Sequence, residues 1–336
     1  MALRVGMYAH HQGSGHLKRC RAIAAHLPGD VTILSSLSDA DVALPLDVVP
    51  DQEHYCSPTA GGSLHWAPLG VASLRQRMAQ IARWIEQNQP HIFFVDVSAE
   101  VAQFVRLMGV PVVTVAMPGQ RDDVPHQIMY RQASALIAAA PTSVPTPVHL
   151  QAFEHKLFKV GGISSFDGDD NSLPNGENNF LQNAEGKLCA VVLQGRGGTD
   201  WTDDYWRSVQ EHCPGWAFTV LGSNLQVDNP VPYIDRADVV ISAAGQNSVA
   251  DIALTKTPAI FVPQSRAFNE QEQTAQVLED LGLAQVLWNL PEPRQWQQIL
   301  VHYQDIHTPG VNWQVHDAAA RAAKIIEQEG QRLWSA

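Results

Sequence analysis

The sequence holds no apolar run near the roughly 18–20 residues that a helix needs to cross a bilayer, which excludes a helical membrane span. Cysteine is scarce. Cys20, Cys56, Cys189 and Cys213 are the only four, and none forms a C-x-x-C pair. A disulfide framework and a cysteine-type zinc site are therefore disfavoured, and reduced thiols are expected. Basic residues are the minority, 22 Lys and Arg against 34 Asp and Glu, for a net charge of -12. That balance argues against binding nucleic acid by broad electrostatics, although a helix N-terminus can hold a phosphate without net positive charge. The opening residues 1–8 lack the apolar core and small-residue cleavage site of a secretory signal, so a cytoplasmic chain is expected.

What is present is globular in character: 336 residues, 45% hydrophobic and 17% charged, a length that suits about two domains. Apolar runs of strand type alternate with segments of helical spacing. Strands are expected at 4–9, 31–34, 91–95, 111–116 and 135–139, with helices at 17–27, 72–87 and 99–108 between them. The alternation loosens through the proline-rich stretch 141–147 and the Asp/Asn/Gly-rich stretch 167–179. It resumes with strands at 188–193, 217–221, 239–242 and 259–262, helices at 203–211, 248–254 and 269–281, and an Ala-rich tail helix at 315–330. Such order predicts an α/β chain with two doubly wound parallel sheets in tandem. The boundary is placed at the first loose stretch, giving domains 1–145 and 146–312 and a terminal segment 313–336 that can pack back on the first domain.

Four segments carry candidate chemistry. Gly13-Ser14-Gly15-His16 joins the first strand to the first helix, where glycines admit a ligand close to the backbone and parallel-sheet folds bind substrates. It is not a dinucleotide fingerprint, because the third glycine of G-x-G-x-x-G is Lys18 and the second strand ends in Ser35-Ser36 without the expected acid. A histidine titrates near neutrality, so His16 suits a general base, while a polar helix-start role explains it equally well. His10 and His11 precede it. Alternating strand side chains would separate them, and no carboxylate joins them by spacing, so they are read as lining a pocket and no metal site is assigned.

The second segment, Gln194-Gly195-Arg196-Gly197-Gly198-Thr199, follows a strand and can cradle a phosphate, although it lacks the G-K-[ST] ending of a P-loop. The third runs from Ser242 through Gly245, Gln246, Asn247 and Ser248 to Asp251. Its helix start can hold a diphosphate, with Asp251 placed to meet ribose hydroxyls or simply to complement the helix dipole. The fourth holds Arg266, Glu270 and Gln271, groups suited to phosphate and sugar hydroxyls. By contrast, Asp167-Gly168-Asp169-Asp170 sits in a loose stretch and is read as a solvated loop. A last pattern, Leu69, Val71, Leu74, Met78, Ile81 and Ile85 with Arg75, Arg77 and Arg83, fits a basic amphipathic face at a membrane, or better a core-facing helix with exposed arginines.

Together, the third and fourth segments resemble the carboxyl-terminal domain of family 28 glycosyltransferases, the group that includes the peptidoglycan N-acetylglucosaminyltransferase. The shared order is A-G-x-x-[ST]-x-x-[DE], then P-A-[IV]-x-V-P, then E-Q, and the early Gly-x-Gly-His matches as well. This resemblance covers most of 241–283 and the loops 12–19 and 194–199. It implies the GT-B fold, two Rossmann-like doubly wound parallel-sheet domains facing across a cleft. It also implies an inverting, metal-independent transferase that takes a UDP-sugar as co-substrate, with no cofactor. Gly245, Gln246, Asn247 and Ser248 would meet the diphosphate, Asp251 the ribose, and Glu270 and Gln271 the donor sugar. Gly195, Arg196, Gly197 and Gly198 would close over the phosphates with Arg266 nearby. His16 would serve the acceptor, on the loop of Gly13, Ser14 and Gly15. Where the peptidoglycan enzyme has Glu, this chain has the shorter Asp251.

The acceptor implied is a glycan, a lipid-linked molecule or a small molecule, with peripheral contact at the inner face of the membrane in the lipid-linked case. The segment 13–20 also resembles the UDP-sugar hydrolase of pseudaminic acid synthesis, which implies transfer to water. A silent nucleotide-sugar-binding subunit is the third reading.

Overall fold

The computed structural model describes residues 2–13, 15–169, 186–195, 199, 201–222, 225–305 and 310–334. They fall into two compact units. The first comprises residues 1–117, 121–165 and 317–336, and the second 118–120 and 166–316.

Seven parallel strands build the first unit's sheet, in the order β3-β2-β1-β4-β5-β6-β7. They are β1 (Arg4–Tyr8), β2 (Asp30–Ser35), β3 (Val42–Ala43), β4 (Ile92–Val95), β5 (Val112–Val115), β6 (Ala135–Ala138) and β7 (Leu157–Lys159). The helices between them are α1 (Gly15–Ala24), α2 (Ala72–Asn88), α3 (Ala99–Leu107) and α4 (Val124–Gln132). β4 reads Ile-Phe-Phe-Val and is buried at every position, as a central strand covered on both faces must be. One face packs Met7, Ile23 and Phe94 with the Ala-rich C-terminal helix, and the other packs Phe93, Ile81 and Val105. Ser98 and Asp123 cap α3 and α4 by accepting the Val101 and His126 N–H groups, which fixes where these helices begin after β4 and β5.

The second unit's sheet is also parallel, in the order β12-β11-β10-β8-β9. Its strands are β8 (Leu188–Leu193), β9 (Trp216–Leu221), β10 (Val239–Ser242), β11 (Ala259–Phe261) and β12 (Gln285–Val286). Its helices are α5 (Asp203–His212), α6 (Val231–Ile234), α7 (Gln246–Thr255), α8 (Glu270–Asp280) and α9 (Trp296–Asp305), and α10 (Ala318–Trp334) returns to the first unit. There α10 packs on α1, donates from Arg321 to the Val160 carbonyl and from Trp334 Nε1 to the His91 carbonyl at 2.7 Å. Within the second unit Gln120 N donates to the Phe268 carbonyl at 2.7 Å and Gly119 N to Gln273 Oε1 at 3.1 Å. A Cβ on Gly119, at φ +101°, would stand 2.4 Å from the Phe268 carbonyl oxygen, so glycine is required there.

Three expectations are corrected. The boundary lies at 165/166, not at 145/146, because β7 pairs with β6 and keeps the residues after the proline stretch in the first sheet. Arg77 is not on an exposed basic face. It is 1% exposed and donates to the Tyr8 hydroxyl, to Ser36 Oγ and to the Pro45 carbonyl, while Ile81 and Ile85 enter the core. Finally, Asp167 of the supposed solvated loop is half-buried and paired with His316 at 3.1 Å. Among the described residues no helix is long and apolar enough to cross a membrane.

Candidate active site

In a parallel sheet the carboxyl ends of adjacent strands present their following residues side by side. β1 pairs with β4, and this pairing brings His16, in the first turn of α1, against Asp96, the residue after β4. His16 Nδ1 lies 2.5 Å from Asp96 Oδ2. A carboxylate oxygen that close requires the proton on Nδ1, which leaves Nε2 with its lone pair as a proton acceptor. Arg19, one turn further along α1, donates from Nε to Asp96 Oδ1 at 2.6 Å and from its Nη2 to Oδ2 at 3.1 Å. Asp96 is wholly buried and Arg19 nearly so, whereas the His16 side chain keeps 21% of its surface exposed. Burial alone would raise the Asp96 carboxyl. The Arg19 charge and the His16 contact outweigh it and hold Asp96 down at about 2. Gly13, at φ +88°, leaves open space beside this group, and Ser14 lies outside the described residues.

His10 and His11 are not separated by strand alternation, since β1 ends at Tyr8 and both lie beyond it. Their rings stack at 4.6 Å, and His10 meets His16 edge-on at 6.1 Å. A carboxylate does join them: Asp47 Oδ1 is 3.6 Å from His11 Nε2, brought in by the loop after β3. Burial, with help from His11 and His16, lowers the His10 imidazole to about 4. Its Nδ1 accepts the Gln12 N–H at 3.2 Å, and Arg77 stands 3.9 Å from Asp47.

A second histidine–carboxylate group occupies the same edge of this sheet, after β5. Asp123 accepts from His65 Nε2 at 2.8 Å and from His126 Nδ1 at 2.6 Å. Glu100 accepts the His65 backbone N–H at 2.6 Å. Arg121 donates to His126 Nε2 at 3.0 Å, and burial lowers the His126 imidazole to about 4. His10, His11 and Asp47, and likewise His65, Asp123 and His126, bring three ligand atoms within 4.8 Å, and both groups lie in the first unit. An ion on His126 Nδ1 would put that ring's proton on Nε2, facing Arg121. An ion on His10 Nε2 would put a proton on Nδ1, facing the Gln12 N–H. In each group a donor thus already occupies one ring nitrogen, while His11 Nδ1 is buried without a hydrogen-bond partner.

In the second unit α7 starts at Gln246, two residues before the expected start, with Gly245 as N-cap and no side chain capping the first turn. Ala244, just before the cap, holds φ +61°, a strained conformation for a residue other than glycine. Gly245, Gln246, Asn247 and Ser248 are half-buried. A Cβ on Gly245 would approach Gln271 Nε2 at 4.0 Å, so the helix start and the fourth segment are brought together. Gln264 organises their surroundings. Its N–H donates to Gln271 Oε1 at 2.9 Å, its Nε2 donates to Thr199 at 2.8 Å, and its Oε1 accepts from Arg266 at 3.0 Å. Glu270 opens α8, half-buried. Asp251 lies inside α7, not at its exposed start. It is the sixth residue of α7 and only 9% exposed. Gly195 is exposed after β8, and Arg196, Gly197 and Gly198 lie outside the described residues.

Of the residues that carry these networks, Asp96 is legible in the sequence as the acid that ends the strand at 91–95, whereas Arg19, Asp47 and Gln264 are given no role there. An acid directly after a fully buried strand is the one signal that points to Asp96. The others become visible only once strand pairing is known.

Comparison with known proteins agrees with this architecture. Residues 225–295 match the glycosyltransferase family 28 C-terminal domain. The UDP-N-acetylglucosamine--N-acetylmuramyl-(pentapeptide) pyrophosphoryl-undecaprenol N-acetylglucosamine transferase of Crocosphaera subtropica is 40% identical over 58 residues, a stretch that spans 17% of this chain and 17% of that enzyme. Over nearly the whole chain the likeness is one of fold. The crystal structure of Acinetobacter baumannii MurG superposes with a TM-score of 0.65 at 14% identity, covering 97% of this chain and 99% of that one. A putative UDP-N-acetylglucosamine 2-epimerase from Listeria monocytogenes superposes with a TM-score of 0.62 at 12% identity, covering 100% and 96%. Two parallel-sheet α/β units of this kind define a protein of the GT-B fold. Within its second unit, residues 225–295 are the part that matches the glycosyltransferase family 28 C-terminal domain.

Proposed function

We propose that this chain is an inverting, metal-independent glycosyltransferase that moves a sugar from a UDP-sugar to a hydroxyl acceptor. The observation that carries the reading is the His16–Asp96 pair, at 2.5 Å, in a chain whose residues 225–295 match a family 28 donor-side domain. His16 Nε2 takes the proton of the acceptor hydroxyl as its oxygen attacks the anomeric carbon. The carbon–oxygen bond to the diphosphate breaks in the same displacement, so configuration inverts. Asp96 holds the ring in the needed tautomer and stabilises the imidazolium that forms.

The second unit takes the donor. The start of α7 at Gln246–Ser248 and the segment Gly195–Gly198 are assigned to receive the diphosphate as its charge develops, the task a metal ion performs in other folds. Both clusters of metal-ligand type among the described residues lie in the first unit, which supports this assignment. Asp251 is assigned to the ribose, and Glu270 and Gln271 to the sugar. The chain is placed in the cytoplasm, and a lipid-linked acceptor would add peripheral contact with the inner face of the membrane.

The test is incubation of purified protein with a panel of nucleotide sugars, with and without cell extract, reading nucleoside diphosphate release. Release that depends on extract supports transfer to an acceptor. Release in buffer alone supports a hydrolase, and binding without turnover a silent subunit. The epimerase likeness makes this test necessary, because the same fold hosts other chemistry on a nucleotide sugar.

A further inference from the structure

Asp96 makes more contacts than a histidine partner requires. Arg19 grips both of its oxygens, and the same Nη2 that donates to Oδ2 stands 3.3 Å from His16 Nδ1. With the proton on Nδ1, the ring cannot accept from that guanidinium. The contact is instead between a fixed positive charge and a ring that turns positive whenever Nε2 gains a proton. Among the described residues, other titratable groups near the pair include His10, edge-on to His16 at 6.1 Å and shifted to about 4 by burial, His11 behind it, and the buried Cys20 thiol, which burial and Asp96 push up. Lys18 precedes Arg19 on α1, and Met117 contributes only its sulfur, 3.6 Å from Arg19. Arg19 is therefore the cation held against both members of the pair.

We propose that Arg19 is the positioning residue of the His16–Asp96 pair, fixing the carboxylate and opposing permanent protonation of the imidazole. This rests on the reading of His16 as the base. A fully buried carboxylate 2.5 Å from an imidazole, with no other partner, favours the imidazolium, and an imidazolium cannot accept a proton. Arg19 satisfies both oxygens of the carboxylate and places a like charge beside the ring. That like charge opposes a second proton on the ring before the step and favours its release after it. The bidentate grip also stops the carboxylate from rotating, so Nδ1–H has one direction to point and Nε2 one direction to face.

The experiment is a pH titration of the full chain by long-range proton–nitrogen correlation of the imidazole rings. The His16 signals are identified by their loss in His16→Gln. In the wild type the neutral ring is expected as the Nδ1–H form. Arg19→Met should move the midpoint of the His16 titration upward by about one pH unit or more, the usual effect of a charge within about 4–6 Å. Arg19→Lys keeps the charge and should leave the midpoint near the wild-type position. If Arg19→Met fails to fold with Asp96 buried and uncompensated, Asp96→Asn is compared with Asp96→Asn plus Arg19→Met, and the same upward step is expected. A midpoint that does not move in either comparison, or a wild-type ring with its proton on Nε2, overturns the proposal. Turnover of His16→Ala in the nucleotide-sugar assay tests the base reading separately, so the two can fail independently.

Discussion

Gln264 Nε2 donates to Thr199 Oγ1 at 2.8 Å, tying the loop after β11 to the segment that follows β8. The two residues are 65 positions apart and meet because β8 and β11 both flank β10 in the sheet. Gln264 is 7% exposed; its side-chain amide is committed to this contact and to Arg266, and its backbone N–H donates to Gln271. Gln264→Ala removes the side-chain bonds to Thr199 and Arg266 and leaves the backbone bond to Gln271 in place. UDP affinity should fall about tenfold, near the worth of one or two such bonds. Isothermal titration with UDP reads it, and unchanged affinity would separate this network from donor binding.

His16 and Asp96 belong to the first unit, whereas the proposed donor contacts all follow residue 190. A group that serves the acceptor should affect the chemical step and leave donor binding alone. His16→Ala is expected to reduce turnover by about 10²–10⁴-fold with the UDP-sugar dissociation constant unchanged. Asp96→Asn should also lower turnover, because an amide can present its N–H to Nδ1 and stabilise the wrong tautomer. Initial rates at saturating donor, together with titration of the same samples, separate the two effects. Full activity in His16→Ala would reduce His16 to a polar helix start.

Asp251 requires a more careful substitution than an exposed residue would. At 9% exposure in the second turn of α7, truncation to alanine removes packing along with charge. Asp251→Asn keeps the volume and is the cleaner probe. Its UDP affinity should drop about tenfold or more, as expected for a lost charged hydrogen bond, with the melting temperature close to wild type. Equal affinity in Asp251→Asn would assign the carboxylate to the helix interior instead.

The parallel strands were legible in the sequence because buried strands read as short continuous apolar runs. Leu188–Leu193 and Val239–Ser242 fall where the pattern puts them. Helix starts were less legible. α7 begins two residues before Ser248 because a backbone turn at Ala244 and Gly245, not a Ser or Asp cap, launches it. The domain boundary was displaced because prolines at 141–147 mark a loop without saying on which side the next strand pairs. Within the sites, motif residues were readable and their partners were not. Arg77 looks like a surface arginine at helical spacing, yet Tyr8, Ser36 and Pro45 draw it inside. Asp96 and Arg19 are 77 residues apart and meet only through the β1–β4 pairing.

Chelation should leave activity intact. The proposed diphosphate site is built from backbone N–H groups and amides, and in the first unit Arg121 and the Gln12 N–H already bond one ring nitrogen in each metal-ligand cluster. Turnover measured in excess EDTA is expected to equal that in magnesium. A loss restored by magnesium would overturn the metal-independent mechanism and direct attention to His65, Asp123 and His126.

Acid should destabilise the fold in two stages, and the sign follows from the shifted groups. Burial is the main reason His10 and His126 are lowered to about 4, against an unfolded value near 6.5. Between those limits the unfolded chain binds more protons, so stability is complete above about pH 6.5 and declines as pH falls toward 4. Around His126 the Asp123 carboxylate opposes the shift, while Arg121 and His65 add to it. Asp96, depressed to about 2, contributes stability that is present above about pH 4 and lost as pH falls through 2. Melting temperature followed from pH 8 to pH 3 should therefore be flat at first, slope downward below about 6.5, and continue downward below 4. His126→Gln retains a polar side chain in the network but cannot titrate. It should flatten the first slope in part, with the His10 share remaining, and leave the second slope in place. An unchanged first slope in His126→Gln would mean that His126 is not a source of that acid sensitivity.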